Sequence, residues 1–149
     1  MQFITVASLF AAAALAAPAA VPQDVPAYVE TVTVTKFFLR KNTETGTIDS
    51  VDFKLSGDDA TDISCAISAP TLPSETITCG DNSPYRFILT KSTDATREVE
   101  LSIYHQTGQA SGIWNAAPAP ALYCHAGGNG AGDFVCQQIE EKVTYELHQ

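Results

Sequence analysis

Positive charge is scarce in this chain: 8 lysines and arginines stand against 17 aspartates and glutamates, a formal net charge of −9. A nucleic-acid partner needs a basic footprint to neutralise phosphates, so that class is excluded. An acidic surface instead favours solubility and steers toward basic partners. Helical periodicity and internal repeats are absent, and no second hydrophobic run approaches the roughly 20 residues of a membrane-spanning helix. A G-x-S-x-G elbow and a P-loop are missing too, and the one glycine-rich stretch lacks the Lys-Ser/Thr and the glycine spacing of a nucleotide site.

What is present begins with an address. Ile4 to Ala16 is apolar and uncharged and ends in the A-x-A pattern Ala14-Leu15-Ala16, although no basic residue precedes it. Residues 1–16 therefore read as a secretory signal peptide, cut near 16–20, which makes the protein secreted and extracellular. Residues 17–27, APAAVPQDVPA, form a Pro/Ala-rich leader whose Pro18, Pro22 and Pro26 oppose helix and central strand alike. A single folded domain is expected over residues 28–149.

Secretion gives the even count of four cysteines its meaning. An oxidising compartment favours disulfides, for which the sequence allows three connectivities. Pairing of nearest neighbours, Cys65 with Cys79 and Cys124 with Cys136, is favoured. Cys65 and Cys79 also fall on the apolar faces of adjacent strand segments, a placement that suits the first bridge. The spacings match no zinc pattern, and no metal or cofactor is expected.

Period-2 alternation dominates the domain. It is visible at Val51, Phe53 and Leu55, at Ile63, Cys65 and Ile67, at Tyr85, Phe87 and Leu89, and most cleanly at Val99, Leu101, Ile103 and His105. In Tyr28–Leu39, Val32 and Val34 share a face with Phe38, while Phe37 and Leu39 point the other way. This change of phase predicts a bulge near Lys36 or a strand covered on both sides at one end. Pro118 and Pro120 restrict the Ile113-Trp114-Asn115 segment to an edge or a short piece. Phe134-Val135 and Val143, Tyr145 and Leu147 suggest terminal strands around QQIEEK, which could also form a helical turn. Many short strands separated by turns define an all-β sandwich or barrel stapled by two disulfides.

Catalytic chemistry finds little support. With the cysteines oxidised, no nucleophile–base pair is evident, and His105 continues an apolar face as a core or rim histidine. Asp58-Asp59, Glu98/Glu100 and Glu140-Glu141 read as solvated charge, so no enzyme is expected. Lys36, Arg40 and Lys41 form the one basic concentration and read as a solvated strand end. Tyr104 faces away from Leu101 and Ile103 and, with Trp114, is the candidate surface for stacking a small ligand. Tyr123 to Gln137, YCHAGGNGAGDFVCQ, is a glycine-rich loop bracketed by Cys124 and Cys136. Ordering such a loop is entropically expensive, so a covalent clamp at its ends is physically sensible. His125, Asn129 and Asp133 are its side chains able to address a partner.

That same stretch resembles the signature of the fungal Alternaria major-allergen-like family of small secreted β-barrel proteins. The leader MQFITVASLFAAAALAAPA is similar to leaders of that family, and FFLRK, ending at Lys41, resembles its first strand. ISC ending at Cys65 and CGDNS from Cys79 to Ser83 fit its cysteine-bearing turns. The similarity spans nearly the whole domain, tightest in the final third and patchy between Ser83 and Leu122. The resemblance implies a compact antiparallel β-barrel with Cys65–Cys79 and Cys124–Cys136 bridges. It further implies an effector, elicitor or allergen-like protein that binds a plant defence protein of the thaumatin-like class and modulates host immunity. Binding of a flavonoid-type small molecule is the alternative. Family members of the first-described type join two barrels through an extra N-terminal cysteine. Val21 to Thr33 contains none, so a monomer or non-covalent dimer is expected.

Overall fold

Apolar side chains on alternate positions build ten strands. The computed structural model describes residues 28–109 and 111–149; the expected signal peptide and leader lie outside these described residues. The strands are β1 (Val29–Asn42), β2 (Thr47–Gly57), β3 (Ala60–Ser68), β4 (Ile77–Thr78), β5 (Tyr85–Lys91), β6 (Val99–Gln106), β7 (Gly112–Pro118), β8 (Leu122–Ala126), β9 (Asp133–Gln138) and β10 (Val143–His148). They run in the order β3-β2-β1-β10-β7-β6-β5-β4, with β9 on β1 and β8 outside β9. Every pairing is antiparallel. The two ends of this order approach each other: Gly80 N–H donates to the Ser64 carbonyl at 2.7 Å, and the Cys65–Cys79 bridge joins β3 to the residue after β4. The sheet is thereby rolled into a nearly closed antiparallel barrel, which leaves little free edge.

β1 is the branch point. One of its edges pairs with β2 over Thr33–Asn42, whereas the other pairs with β10 over Val29–Val34 and with β9 over Phe38–Asn42. The change of partner coincides with Lys36, whose φ of 53° interrupts the register between Thr35 and Phe38. Of the two expected explanations for the change of phase, the bulge is the one realised. An extra residue shifts the side-chain alternation by one, so Phe37 and Leu39 join Val32 and Val34 in the core. Phe38, expected on the Val32 face, is turned outward and half-buried for the same reason.

Inside, Phe37 stacks on Phe53 at 5.5 Å and Phe53 meets Phe87 edge-on at 5.0 Å. Each such pair adds about 0.5–1.5 kcal/mol beyond the burial of its area. β7 is not the edge that its prolines suggested: β6 pairs along its whole length and β10 meets it at Trp114↔His148. Pro118 is tolerated because it closes the strand, where its carbonyl accepts the Tyr145 hydroxyl at 3.2 Å. QQIEEK is divided, the glutamines ending β9 and the rest turning into β10 without a helix. Both favoured disulfides are formed, with Cα separations of 4.3 and 4.0 Å. Each should contribute about 3 kcal/mol by restricting the unfolded chain.

Candidate functional site

Cys124 and Cys136 sit directly opposite each other on β8 and β9, so their bridge closes the base of the glycine loop. One carboxylate organises what lies above it. Asp133, at the start of β9, is 4% exposed. Its oxygens accept from Arg40 Nε at 2.9 Å and Nη2 at 2.8 Å, and Oδ2 also accepts the Asn129 N–H at 2.8 Å. The Arg40 guanidinium and then the Asn129 amide hold the carboxyl below the usual carboxylate range. The loop glycines divide their roles. Gly128 and Gly130 adopt φ of 95° and 131°, while Gly127 packs so closely on the Asp133 carboxylate that a methyl group there would overlap it.

Around this frame His125 and Asn129 are exposed. The His125 ring lies 6.2 Å from that of Tyr123, and its Nδ1 is 3.0 Å from the Ala126 carbonyl. Asp133, expected among the contact side chains, points inward with both oxygens occupied, its burial compensated by Arg40 and the Asn129 amide. It positions the loop. Tyr123, 66% exposed, and Ile139, 64% exposed, were not singled out from the sequence. Tyr123 could have been, since alternation around Cys124 puts it on the His125 face. Register extends that face from Tyr123 through Gln137 to Phe38. Of the basic concentration, Arg40 is taken up by Asp133 and Lys41 by Glu98, leaving Lys36 exposed at the bulge.

A second polar cluster lies inside the barrel. Glu30 Oε1 accepts the Tyr85 hydroxyl at 2.5 Å and the Asp58 N–H at 2.8 Å. Its Oε2 lies 2.5 Å from His105 Nδ1, and His105 Nε2 lies 2.9 Å from Asp59 Oδ2. Tyr85 stacks on the His105 ring at 4.2 Å. Burial, then the bond to Glu30, pushes the Tyr85 hydroxyl up. Tyr28 donates to Asp58 at 2.6 Å, and that bond to a carboxylate pushes its phenol up to about 12. Asp58 and Asp59 are exposed, as expected of solvated turn charge, and in addition bond to Tyr28 and His105 at the edge of this cluster. His105 is a satisfied buried histidine, in keeping with its place on an apolar face. Glu30 shares the inward face of Val32 and Val34, the one signal that could have found it. With both Glu30 oxygens, the Tyr85 hydroxyl and both His105 nitrogens engaged, the cluster is a structural hub that ties β1, β5, β6 and the β2–β3 turn together.

Tyr104 and Trp114 are brought together. They face each other across β6 and β7 with rings 6.0 Å apart and planes 16° from parallel. Trp114 is 50% exposed. An open groove of about 480 Å³ runs beside Tyr104, lined by Arg86, Gln106 and Ser111 among others. Among the described residues no group of three or more His, Cys, Asp or Glu could hold a metal ion.

Comparison with known proteins adds a lineage to this geometry. The profile of the family described as Alternaria alternata allergen 1 matches residues 34–136. Effector protein PevD1 of Verticillium dahliae is 44% identical over 145 residues, covering 93% of this chain and 88% of that protein. Major allergen Alt a 1 of Alternaria alternata is 34% identical over 152 residues, covering 95% of this chain and 92% of the allergen. A crystal structure of that allergen superposes with a TM-score of 0.57 at 26% identity, covering 79% of this chain and 90% of that one.

Proposed function

The chain belongs to the Alternaria alternata allergen 1 family, and from that premise we propose that it is a secreted fungal effector or allergen-like protein. It acts by binding a plant defence protein of the thaumatin-like class and so modulates host immunity, without catalysing a reaction. The observation that carries this reading is the kinship with a protein named as an effector along nearly the whole chain. Secretion accords with the signal-like N-terminus and with two disulfides, which persist in oxidising surroundings.

His125 and Asn129, with the neighbouring Tyr123, form the contact surface; Asp133 serves it by fixing the loop. An exposed aromatic beside a rigid, clamped loop offers contact area at small ordering cost. The net charge of −9 suits a basic partner. The test is affinity capture from plant apoplastic fluid with the mature protein and with a Tyr123→Ala/His125→Ala/Asn129→Ala variant that keeps both disulfides. The wild type should retain a thaumatin-like protein and the variant should lose it while unfolding at the same urea concentration. Capture of no host protein, or equal capture by the variant, refutes the reading.

The alternative, a flavonoid-type ligand, would lay a flat ring system on Tyr104 and Trp114, and their near-parallel planes favour it. Quenching of Trp114 emission on flavonoid titration at pH 5 and pH 7 is its expected sign, and a flat titration removes it.

A further inference from the structure

The outward face of β4, β5, β6, β7 and β10 carries a row that the host-protein reading leaves unused. Register aligns Thr78, Arg86, Tyr104, Trp114 and His148 as successive cross-strand partners. With strands about 4.8 Å apart, Arg86 to His148 spans about 14 Å, the scale of a short oligosaccharide. Its centre is aromatic and near-planar, because Tyr104 and Trp114 lie side by side on the flat of the sheet with planes 16° apart. Beside Tyr104 the groove is lined by polar side chains together with Pro84 and Ile88. Arg86 Nη2 donates to Gln106 Oε1 at 3.0 Å, and Gln106 Nε2 donates to the Gly108 carbonyl at 3.0 Å. Gln109, Ser111 and Thr76 complete the groove, which shares Pro84, Arg86 and Gln106 with a neighbouring hollow floored by the Gly80–Ser83 turn.

We propose that this groove, together with the Trp114 ring that stacks beside Tyr104 at its margin, binds an uncharged oligosaccharide chain. A sugar ring has one face of C–H groups, which packs on an aromatic ring, and a perimeter of hydroxyls, which needs donors and acceptors in the plane around it. Tyr104 and Trp114 supply the first; the amide and hydroxyl side chains and the uncommitted donors of Arg86 supply the second. Arg86 and Asp81 are the charged side chains facing the two hollows, one of each sign, and the chain around them is acidic at −9. A polyanion would be repelled from such a surface. A flavonoid would leave much of its surface wet in an open groove, where small-molecule sites enclose most of theirs. An extended peptide finds no free strand edge along this row, since Arg86, Tyr104 and Trp114 each have a cross-strand partner on both sides. A second copy of the chain would meet two rings flanked by an arginine and glutamines, too little apolar area for the core of an interface.

The proposal rests on the aromatic row alone and is independent of the host-protein contact surface at Tyr123, His125 and Asn129. Its test is calorimetric and fluorescence titration of the mature protein with cellohexaose, chitohexaose, a galacturonic-acid pentamer and a flavonol. One of the neutral hexasaccharides should bind and shift Trp114 emission. Trp114→Ala and Tyr104→Ala should each weaken that binding about tenfold, equivalent to about 1.4 kcal/mol. Trp114→Phe, which keeps a ring, should retain most of it, and the Tyr123→Ala/His125→Ala/Asn129→Ala variant should bind as wild type. Titrations that are flat for both neutral sugars overturn the proposal. So do binding of the acidic pentamer or the flavonol alone, an undiminished affinity in Trp114→Ala, or a self-association that buries this face.

Discussion

Two turns at different places on the barrel are built to one plan. At the β2–β3 turn, Glu30 reaches up from β1 to accept the Asp58 N–H, and Gly57 lies so close that a methyl group would overlap its carboxylate. At the β8–β9 loop, Asp133 accepts the Asn129 N–H under Gly127 in the same manner. Each carboxylate is almost fully buried and each glycine is there for proximity. The partners differ. Asp133 is matched by Arg40, a permanent cation whose side chain is 30% exposed, and its loop is also closed by a disulfide. Glu30 is matched by His105 and Tyr85, both buried, which draw β1, β5, β6 and the turn together. A near-surface pin with covalent support should fail locally, whereas an internal hub should fail with the whole domain.

Glu30→Ala should be the most damaging change, because it removes the buried carboxylate that His105 Nδ1 and the Tyr85 hydroxyl share. The expected loss is about 3–5 kcal/mol in urea denaturation. A loss below about 1 kcal/mol would reduce the hub to another local pin. Converting Cys124 and Cys136 to serine should cost about 3 kcal/mol and speed amide exchange first in Gly127–Gly132, leaving β5 and β6 protected. Uniform acceleration across the barrel would erase the distinction between local and global failure.

The two glycines make a finer test. Gly57→Ala and Gly127→Ala should each destabilise by about 1–3 kcal/mol through overpacking. Gly57 should be the worse site, since a methyl there meets both the Glu30 carboxylate and the Tyr85 hydroxyl. Equal shifts in denaturation midpoint would show that burial depth does not separate the two turns. The smallest effect is on pH. The folded state lowers the Asp133 pKa, so the unfolded chain binds the proton more tightly as the pH falls. The stabilisation is complete above the ordinary carboxylate value near about 4 and is lost as pH falls through the lower folded value. Protection of the Asn129 amide, measured against its intrinsic exchange rate at each pH, should therefore fall only in acid, and Asp133→Asn should abolish that dependence. An Asn129 amide indifferent to acid would mean that the ion pair does not hold the loop.

Much of this molecule was legible before any coordinate. His105 declared itself inward by continuing the alternation of Val99, Leu101 and Ile103, and the phase break after Thr35 narrowed to a bulge near Lys36 or a strand covered on both sides, of which the structure realises the bulge. Tyr104 was placed outward by the same rule, and the structure sets it beside Trp114. The two carboxylates that organise the turns were not legible. Asp133 reads from the sequence as a contact residue because it is one of three loop side chains able to address a partner, whereas Arg40, which holds it inward, lies 93 positions away. Glu30 meets His105 across 75 positions and Tyr85 across 55.

By itself the sequence determined most of the strands, their inward and outward faces away from the Lys36 bulge, the favoured pairing of the cysteines and the family signature. All of these depend on neighbours within a few residues or on a motif read whole. Only the tertiary structure decided which inward polar residue meets which partner, that β7 is an interior strand, and that Arg86, Tyr104, Trp114 and His148 stand in one row. The reason is physical: alternation assigns a residue to a face, but the order and register of the strands assign it a neighbour. Register is settled by packing across the whole barrel.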